Sequence, residues 1–300
     1  MFTTSCSCER FVATEIETNK TDPLGRAMDG VFHNSMETEG KPRVAVLLTT
    51  YNGSIFINEQ ITSLTRNSTP FTLHWFDDHS TDDTRQVVRA SITSSGLDAI
   101  EWSDSEHKGV PGAFFQLMEK VDADIYLFCD QDDIWQAGKV DATVASLLPV
   151  SGQPVLCFSE ALVFEEGISR DPRPIFDFVG ATSASLLRES RALTSNPALG
   201  NTIGFTRPLR DMFLRHSNIA RAYAPSHDCW MYLIAVAAGE SRLLRDVPTT
   251  LYRLHGGNLF GGNLRLRGLA AVARRWRLQV ALRRWASQQA RGFEIGRAHV

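Results

Sequence analysis

The sequence predicts an α/β protein built on a doubly wound, mostly parallel sheet. Three observations carry this. Short apolar runs alternate with helical patterns through the first half of the chain. The runs are continuous rather than alternating, as strands covered on both faces require. Three of them end in polar clusters, which belong at the sheet edge where open α/β sheets bind their ligands.

Residues 44–48, VAVLL, form the first strand, followed by the polar turn TTYNGS and by Ile57, Ile61 and Leu64 at helical spacing. Residues 71–76 read as a second strand, 77–83 (DDHSTDD) as a loop and 84–92 as a helix. A third strand is expected over 99–102, then a helix over 110–121 with Phe114, Leu117 and Val121 on one face. Residues 125–129 give a fourth strand that runs into Asp130-Gln131-Asp132-Asp133. Beyond this the pattern loosens. Residues 155–164 read as one strand or a pair, 165–197 as mixed charges and turns, and 199–205 as a strand. Residues 208–216 read as a helix with proline in its first turn, 229–238 as a buried helix and 243–251 as one or two short strands. Residues 264–291 suggest a basic helix with Leu266, Leu269, Ala273, Trp276 and Val280 along one stripe.

Composition sets the bounds. Of 300 residues, 43% are hydrophobic and 22% charged, which excludes a mainly disordered chain. The longest apolar run, 229–238, is half of the ~20 residues a membrane helix needs. The N-terminus lacks the basic and apolar regions of a secretory signal, and residues 1–42 read as a disordered leader. Five cysteines, three of them in apolar runs, suit free thiols in a reducing, cytoplasmic compartment. The net charge of −3 hides an asymmetry: residues 1–262 hold 22 Lys+Arg against 33 Asp+Glu, and residues 263–300 hold nine arginines against Glu294 alone. Such a basic tail faces either an anionic membrane or the acidic body itself. Residues 294–300, EIGRAHV, read as GAG ATC GGA AGA GCA CAC GTC, a common sequencing adapter in translation, and are set aside from the fold.

The fold would bring Thr49-Thr50-Tyr51-Asn52, Asp77-Asp78 and Asp130-Gln131-Asp132-Asp133 to one edge. At least five carboxylates near one cleft repel and raise one another's pKa. A divalent cation relieves this, and an all-oxygen cluster favours Mg²⁺ or Mn²⁺, which in turn hold a diphosphate. Plainer roles compete. Asp82 or Asp83 suits a helix N-terminus with Ser80 or Thr81 as cap, and Asp133 suits either a cap or the cleft. A bare Asp-x-Asp is common by chance, but Asp132 stands at a strand end, before Ile134-Trp135.

VAVLLTTYNGSIFINEQITSL, FDDHSTDDT, YLFCDQDDIWQAGKV, HDCW and LYRLHGGN, in this order and spacing, resemble family 2 glycosyltransferases of the GT-A fold, in particular their rhamnosyltransferase-like branch. The likeness covers about residues 43–260 and implies a domain over 43–262, with a nucleotide-sugar-binding half over 43–150 and an acceptor half over 151–262, which leaves 263–293 as a basic amphipathic helix. It departs at Glu106-His107-Lys108-Gly109, where the family has Asn-x-Gly, and at His79, where glycine is commoner.

The resemblance implies roles. Thr49 and Tyr51 would line the nucleotide pocket, Asp78 would accept from the base N3–H, and Asp130 would lie near the ribose. Asp132 would bind the metal that bridges the diphosphate, with His255 reaching it from the C-terminal side; alone, His255 would read as a surface-loop histidine. Asp228 matches the family's general base and also suits the N-terminus of the apolar helix after it. A base opposite the leaving group gives a single inverting displacement. The implied donor is a nucleotide-diphosphate sugar, with dTDP-rhamnose favoured, and the acceptor a cell-surface glycan or lipid-linked precursor on the inner face of the membrane. A nucleotidyltransferase would open with a glycine-rich basic loop, and TTYNGS has one glycine and no Lys or Arg. A catalytically silent nucleotide-sugar-binding protein would lack Asp132 or Asp228. Nucleic acid is not expected as a partner, since the arginine-rich tail carries few stacking aromatics.

Overall fold

The computed structural model describes residues 41–165, 171–179, 196–246 and 250–255. The leader except its last two residues, the segment 263–293 expected to be a basic helix, and residues 294–300 lie outside them. The chain alternates strand and helix as expected: β1 (Val44–Thr50), α1 (Ile57–Leu64), β2 (Thr72–Asp77), α2 (Thr84–Ser95), β3 (Ala99–Trp102), α3 (Gly109–Lys120) and β4 (Ile125–Cys129). A two-residue β5 (Ile134–Trp135) and α4 (Lys139–Leu147) follow, then β6 (Val155–Ser159), β7 (Ala161–Glu165), β8 (Arg173–Pro174) and α5 (Ile175–Val179). The last part holds β9 (Gly204–Thr206), α6 (Arg207–Arg215), α7 (Ser217–Tyr223), α8 (His227–Ala238), β10 (Glu240–Leu244) and β11 (Thr250–Leu254).

Among the described residues, seven strands form one sheet in the order β10-β6-β9-β4-β1-β2-β3. All neighbours run parallel except β9, which is antiparallel to both β4 and β6. The chain proceeds outward from β1 to β2 and β3, then returns to place β4 on the other side of β1. The crevice at that reversal, outside the carboxyl ends of β1 and β4, is where such sheets bind ligands.

The strands are apolar on both faces because both faces are covered. Val44, Val46 and Leu48 pack with Ile57, Ile61 and Leu64 of α1, Val88 of α2, and Val140, Val144 and Leu147 of α4. The alternate side chains, Ala45 and Leu47, belong to the opposite layer with Phe114 and Leu117 of α3, Leu209 and Phe213 of α6, and Trp230 to Ala235 of α8. Burying each large aliphatic group contributes roughly 1.5–3 kcal/mol. Cys129 and Cys157 are buried free thiols within these layers.

A second sheet, β5-β11-β7-β8, stands beside the cleft. It pairs β11 parallel to β7 and antiparallel to β5, so the segment after Asp133 and the strand before His255 are hydrogen-bonded neighbours. Three expectations need correction. Residues 199–205 are not one strand: Gly200–Thr202 is a 3₁₀ turn, and only Gly204–Thr206 pairs. The stretch after residue 165 contains β8 and α5, whose two and five residues leave no readable period. Asp133 caps no helix; Gly138, with φ of 81°, stands at the N-cap of α4.

Candidate active site

The C-terminal ends of β1 and β2 are tied together first. Thr50 is buried; its Oγ1 donates to Asp77 Oδ1 at 2.8 Å and accepts from the Trp75 indole N–H at 3.0 Å. Thr49 is the half-buried neighbour. Tyr51 is 47% exposed. Its backbone is clamped by the Gln131 amide, which accepts from Tyr51 N at 2.8 Å and donates to Tyr51 O at 3.0 Å. The β1 and β4 loops are thereby locked across the crevice.

Asp78 is only 3% exposed. Its carboxylate accepts the backbone N–H groups of Lys108 at 2.7 Å and Gly109 at 2.8 Å, at the start of α3. His107 Nδ1 lies 3.1 Å from the same carboxylate, and the His107 ring stands 5.0 Å from the Tyr51 ring, tilted by 50°. Asp78 therefore holds the 106–109 loop against Tyr51. His79 adopts φ of 66°, a left-handed backbone that explains why glycine suits this position. Asp82, not Ser80 or Thr81, accepts the Thr84 backbone N–H at 3.1 Å where α2 begins.

The β4 loop brings the acidic cluster together. Burial pushes the Asp130 carboxyl well above the ordinary carboxylate range, and the charges of Asp133, Asp132 and Asp228 add to it. Asp133, fully buried, is raised by burial and then by Asp132. Burial, followed by the same four carboxylates, also raises the Tyr252 hydroxyl. Asp132 and Asp133 of the same loop and Asp228 of α8 thus all act on Asp130.

Asp132 meets His255, with Oδ2 2.8 Å from Nε2. The backbone oxygen of Asp132 accepts from Arg253 Nε at 2.9 Å, while Asp133 Oδ1 accepts the Arg253 backbone N–H at 3.1 Å and Oδ2 accepts from Asn201 Nδ2. The Arg253 guanidinium also reaches Glu59 and lies over the rings of Phe56 and Phe164. Beneath the cluster, Lys139 is 1% exposed. Its Nζ stands 3.6 Å above the Trp135 ring and donates to the Asn201 carbonyl and, at 3.1 Å, to Thr250 Oγ1. Burial lowers its pKa to about 7, against the pull of Cys129, Asp133 and Asp130. Sequence reasoning missed Lys139, Asn201 and Arg253. The signal for Lys139 was its place on the apolar stripe of α4 with Thr143 and Leu147.

Asp228 lies in the first turn of α8, where a negative side chain complements the helix dipole. Oδ1 accepts the Cys229 backbone N–H at 2.8 Å and Oδ2 accepts from Asn196 Nδ2 at 3.0 Å. Ser226, not Asp228, occupies the N-cap position. The neighbouring His227 is buried, and burial lowers its pKa to about 4.

Asp132 and His255 are residue types that would each ligate a divalent cation. In the structure the two meet directly, with Asp132 Oδ2 at a hydrogen-bond distance of 2.8 Å from His255 Nε2. No group of three His, Cys, Asp or Glu among the described residues is arranged to hold a metal, so the other ligands would come from substrate oxygens and water. No helix among the described residues is long and apolar enough to cross a membrane.

Comparison with known proteins agrees with this architecture. The family model for glycosyl transferase family 2 matches residues 45–167. The dTDP-rhamnosyl transferase RfbG of Shigella flexneri is 24% identical over 240 residues, which cover 76% of this chain and 80% of that protein. Protein RfbJ of the same organism is 30% identical over 108 residues, 35% of this chain and 76% of that protein. Among solved structures, S. aureus TarS 1-349 in complex with UDP-GlcNAc aligns with a TM-score of 0.54 at 19% identity, covering 72% of this chain and 60% of TarS 1-349. The mannosyltransferase PcManGT from Pyrobaculum calidifontis, in complex with GDP-Man and Mn²⁺, also gives 0.54, at 18% identity and 86% and 76% coverage. The chain therefore spans about 60% of TarS 1-349, and at these identities the solved structures speak to the fold.

Proposed function

We propose, for a chain that belongs to glycosyl transferase family 2 and has the GT-A fold, that it moves a sugar from a nucleotide-diphosphate donor to an acceptor hydroxyl with inversion. The observation that supports this reading is that Asp132 meets His255 at 2.8 Å beyond the end of β4, while the adjacent residues Asn201 and Gly200 contact Asp133 and the first turn of α8, which bears Asp228.

In this reading the nucleoside lies over Tyr51 and Thr49, beside the loop that Asp78 holds, with the ribose near Asp130. Asp132 and His255 would hold Mg²⁺ or Mn²⁺, which offsets charge on the departing diphosphate. Asp228 is the general base. As the acceptor oxygen attacks the anomeric carbon, its proton passes to the Asp228 carboxylate, and the electron pair of the breaking C–O bond leaves with the diphosphate. The Asn196 hydrogen bond orients that carboxylate from behind. Entry and departure on opposite faces of the sugar invert the anomeric centre, and no covalent intermediate forms.

The likeness to a dTDP-rhamnosyl transferase supports dTDP-rhamnose as donor, and a cell-surface glycan or its lipid-linked precursor as acceptor. The basic tail, residues 263–293, would seat the enzyme on the anionic inner face of the membrane; it lies outside the described residues. A panel of nucleotide sugars, read by nucleoside diphosphate release in Mn²⁺, tests the donor. Release from dTDP-rhamnose above UDP- and GDP-sugars is the expected result; release from none of them would refute the reading.

A further inference from the structure

We infer that the turn Gly200–Thr202 registers the base Asp228 against the donor-side Asp132, with Gly200 and Asn201 as positioning residues. The inference rests on the glycosyltransferase reading, because it assigns the two carboxylates to opposite sides of one sugar.

Consecutive residues of the turn touch the two halves of the cleft. Asn201, 1% exposed, donates through Nδ2 to Asp133, the residue after Asp132. Its carbonyl accepts from Lys139 Nζ and, at 3.0 Å, from Thr250 Oγ1. Thr250 opens β11, the strand that delivers His255. The donor side is thus fastened to Asn201 through both its side chain and its carbonyl.

Gly200 faces the other way. A Cβ there would lie 2.8 Å from His227 Nε2, 3.3 Å from His227 Cε1 and 3.7 Å from Asp228 Cβ. The bare backbone at Gly200 is what lets the first turn of α8 approach so closely. His227 cannot yield easily: its ring stacks on Phe114 at 3.8 Å and 24°, and meets the edge of Phe128 at 4.6 Å. Neither of its ring nitrogens has a hydrogen-bond partner among the described residues, so packing alone fixes the ring. The turn itself is anchored by β9, held between β4 and β6 in the large sheet. A side chain at position 200 would therefore move Asp228, not the turn.

Displacing a reacting group by about 1 Å costs on the order of 10² in rate. Gly200→Ala should lower kcat by about 10²-fold while leaving the donor KM and nucleoside diphosphate affinity within about twofold, since the Asn201–Asp133 and Asp132–His255 contacts are not touched. Adding His227→Ala, which removes the atoms the new methyl would meet, should recover at least about tenfold of that loss relative to Gly200→Ala alone. Unchanged kcat in Gly200→Ala, a donor affinity that falls in step with kcat, or no recovery in the double variant would each overturn the inference. A wild-type enzyme that turns over no nucleotide sugar would overturn the glycosyltransferase reading and this inference with it.

Discussion

Nε2 of His255 lies 2.8 Å from Oδ2 of Asp132, although 123 residues separate them in the chain. The second sheet accounts for the meeting. Antiparallel pairing of β11 with β5 sets Thr250 against Trp135 and Leu251 against Ile134. Arg253 then bonds both Asp132 and Asp133 through its side chain and its backbone. The strand end carries His255 to the carboxylate as a consequence of register.

The division of labour across the cleft predicts how Asp228 fails. Asp228→Asn should reduce kcat by about 10²–10⁴-fold, the usual range for loss of a general base, with the donor KM little changed. Steady-state kinetics at saturating acceptor measure this. A variant whose main defect is donor affinity would remove Asp228 from the acceptor side.

Asp133 should matter for stability as well as for the site. Asp133→Ala would leave the Asn201 amide and the Arg253 backbone N–H without their acceptor in a buried place. Each such group costs about 1–3 kcal/mol, so urea unfolding should show a loss of about 3 kcal/mol. A loss below about 1 kcal/mol would mean that water or a rearranged turn replaces the carboxylate.

His227 gives a stability change with a definite sign. Its pKa falls from 6.5 to about 4 on folding, so between those values the unfolded chain binds more protons than the native one. The native state is then destabilised as pH drops from about 6.5 to about 4, by roughly 3 kcal/mol in full. His227→Asn does not titrate, and its stability should fall less than wild type over that window. Parallel pH–stability curves for the two proteins would count against the buried neutral imidazole.

Much of this was legible from the residues. The parallel sheet announced itself because strands covered on both faces must be apolar throughout, and β3 and β4 fall where 99–102 and 125–129 place them. The convergence of acidic loops followed from the strand order. What could not be read were contacts that depend on tertiary neighbours. The role of Asn201 needs a 3₁₀ turn inside an apolar stretch that reads as a strand. Asp133 resembles any helix-preceding acid until the Arg253 backbone N–H of β11 donates to it. Asp78 carries the residue type suited to a nucleobase, yet its oxygens already accept two backbone N–H groups of the α3 start, which only the folded loop reveals.

The basic tail gives a prediction from sequence. Residues 264–291 hold eight arginines and no acid, and each basic group near an anionic surface contributes about 1 kcal/mol, screened by salt. The full chain should co-sediment with anionic vesicles in a salt-sensitive way, and a chain ending at Gly262 should not. Equal binding by both would leave the tail as a packing helix.

The central claim is that Asp132, with His255, holds the metal that binds the donor diphosphate, and calorimetric titration of nucleoside diphosphate with and without Mn²⁺ tests it most directly. Wild type and Asp228→Asn should bind tightly in Mn²⁺ and weakly in EDTA, while Asp132→Asn should bind weakly in both. Affinity in EDTA equal to that in Mn²⁺, or an Asp132→Asn variant that keeps the Mn²⁺-dependent gain, would contradict it.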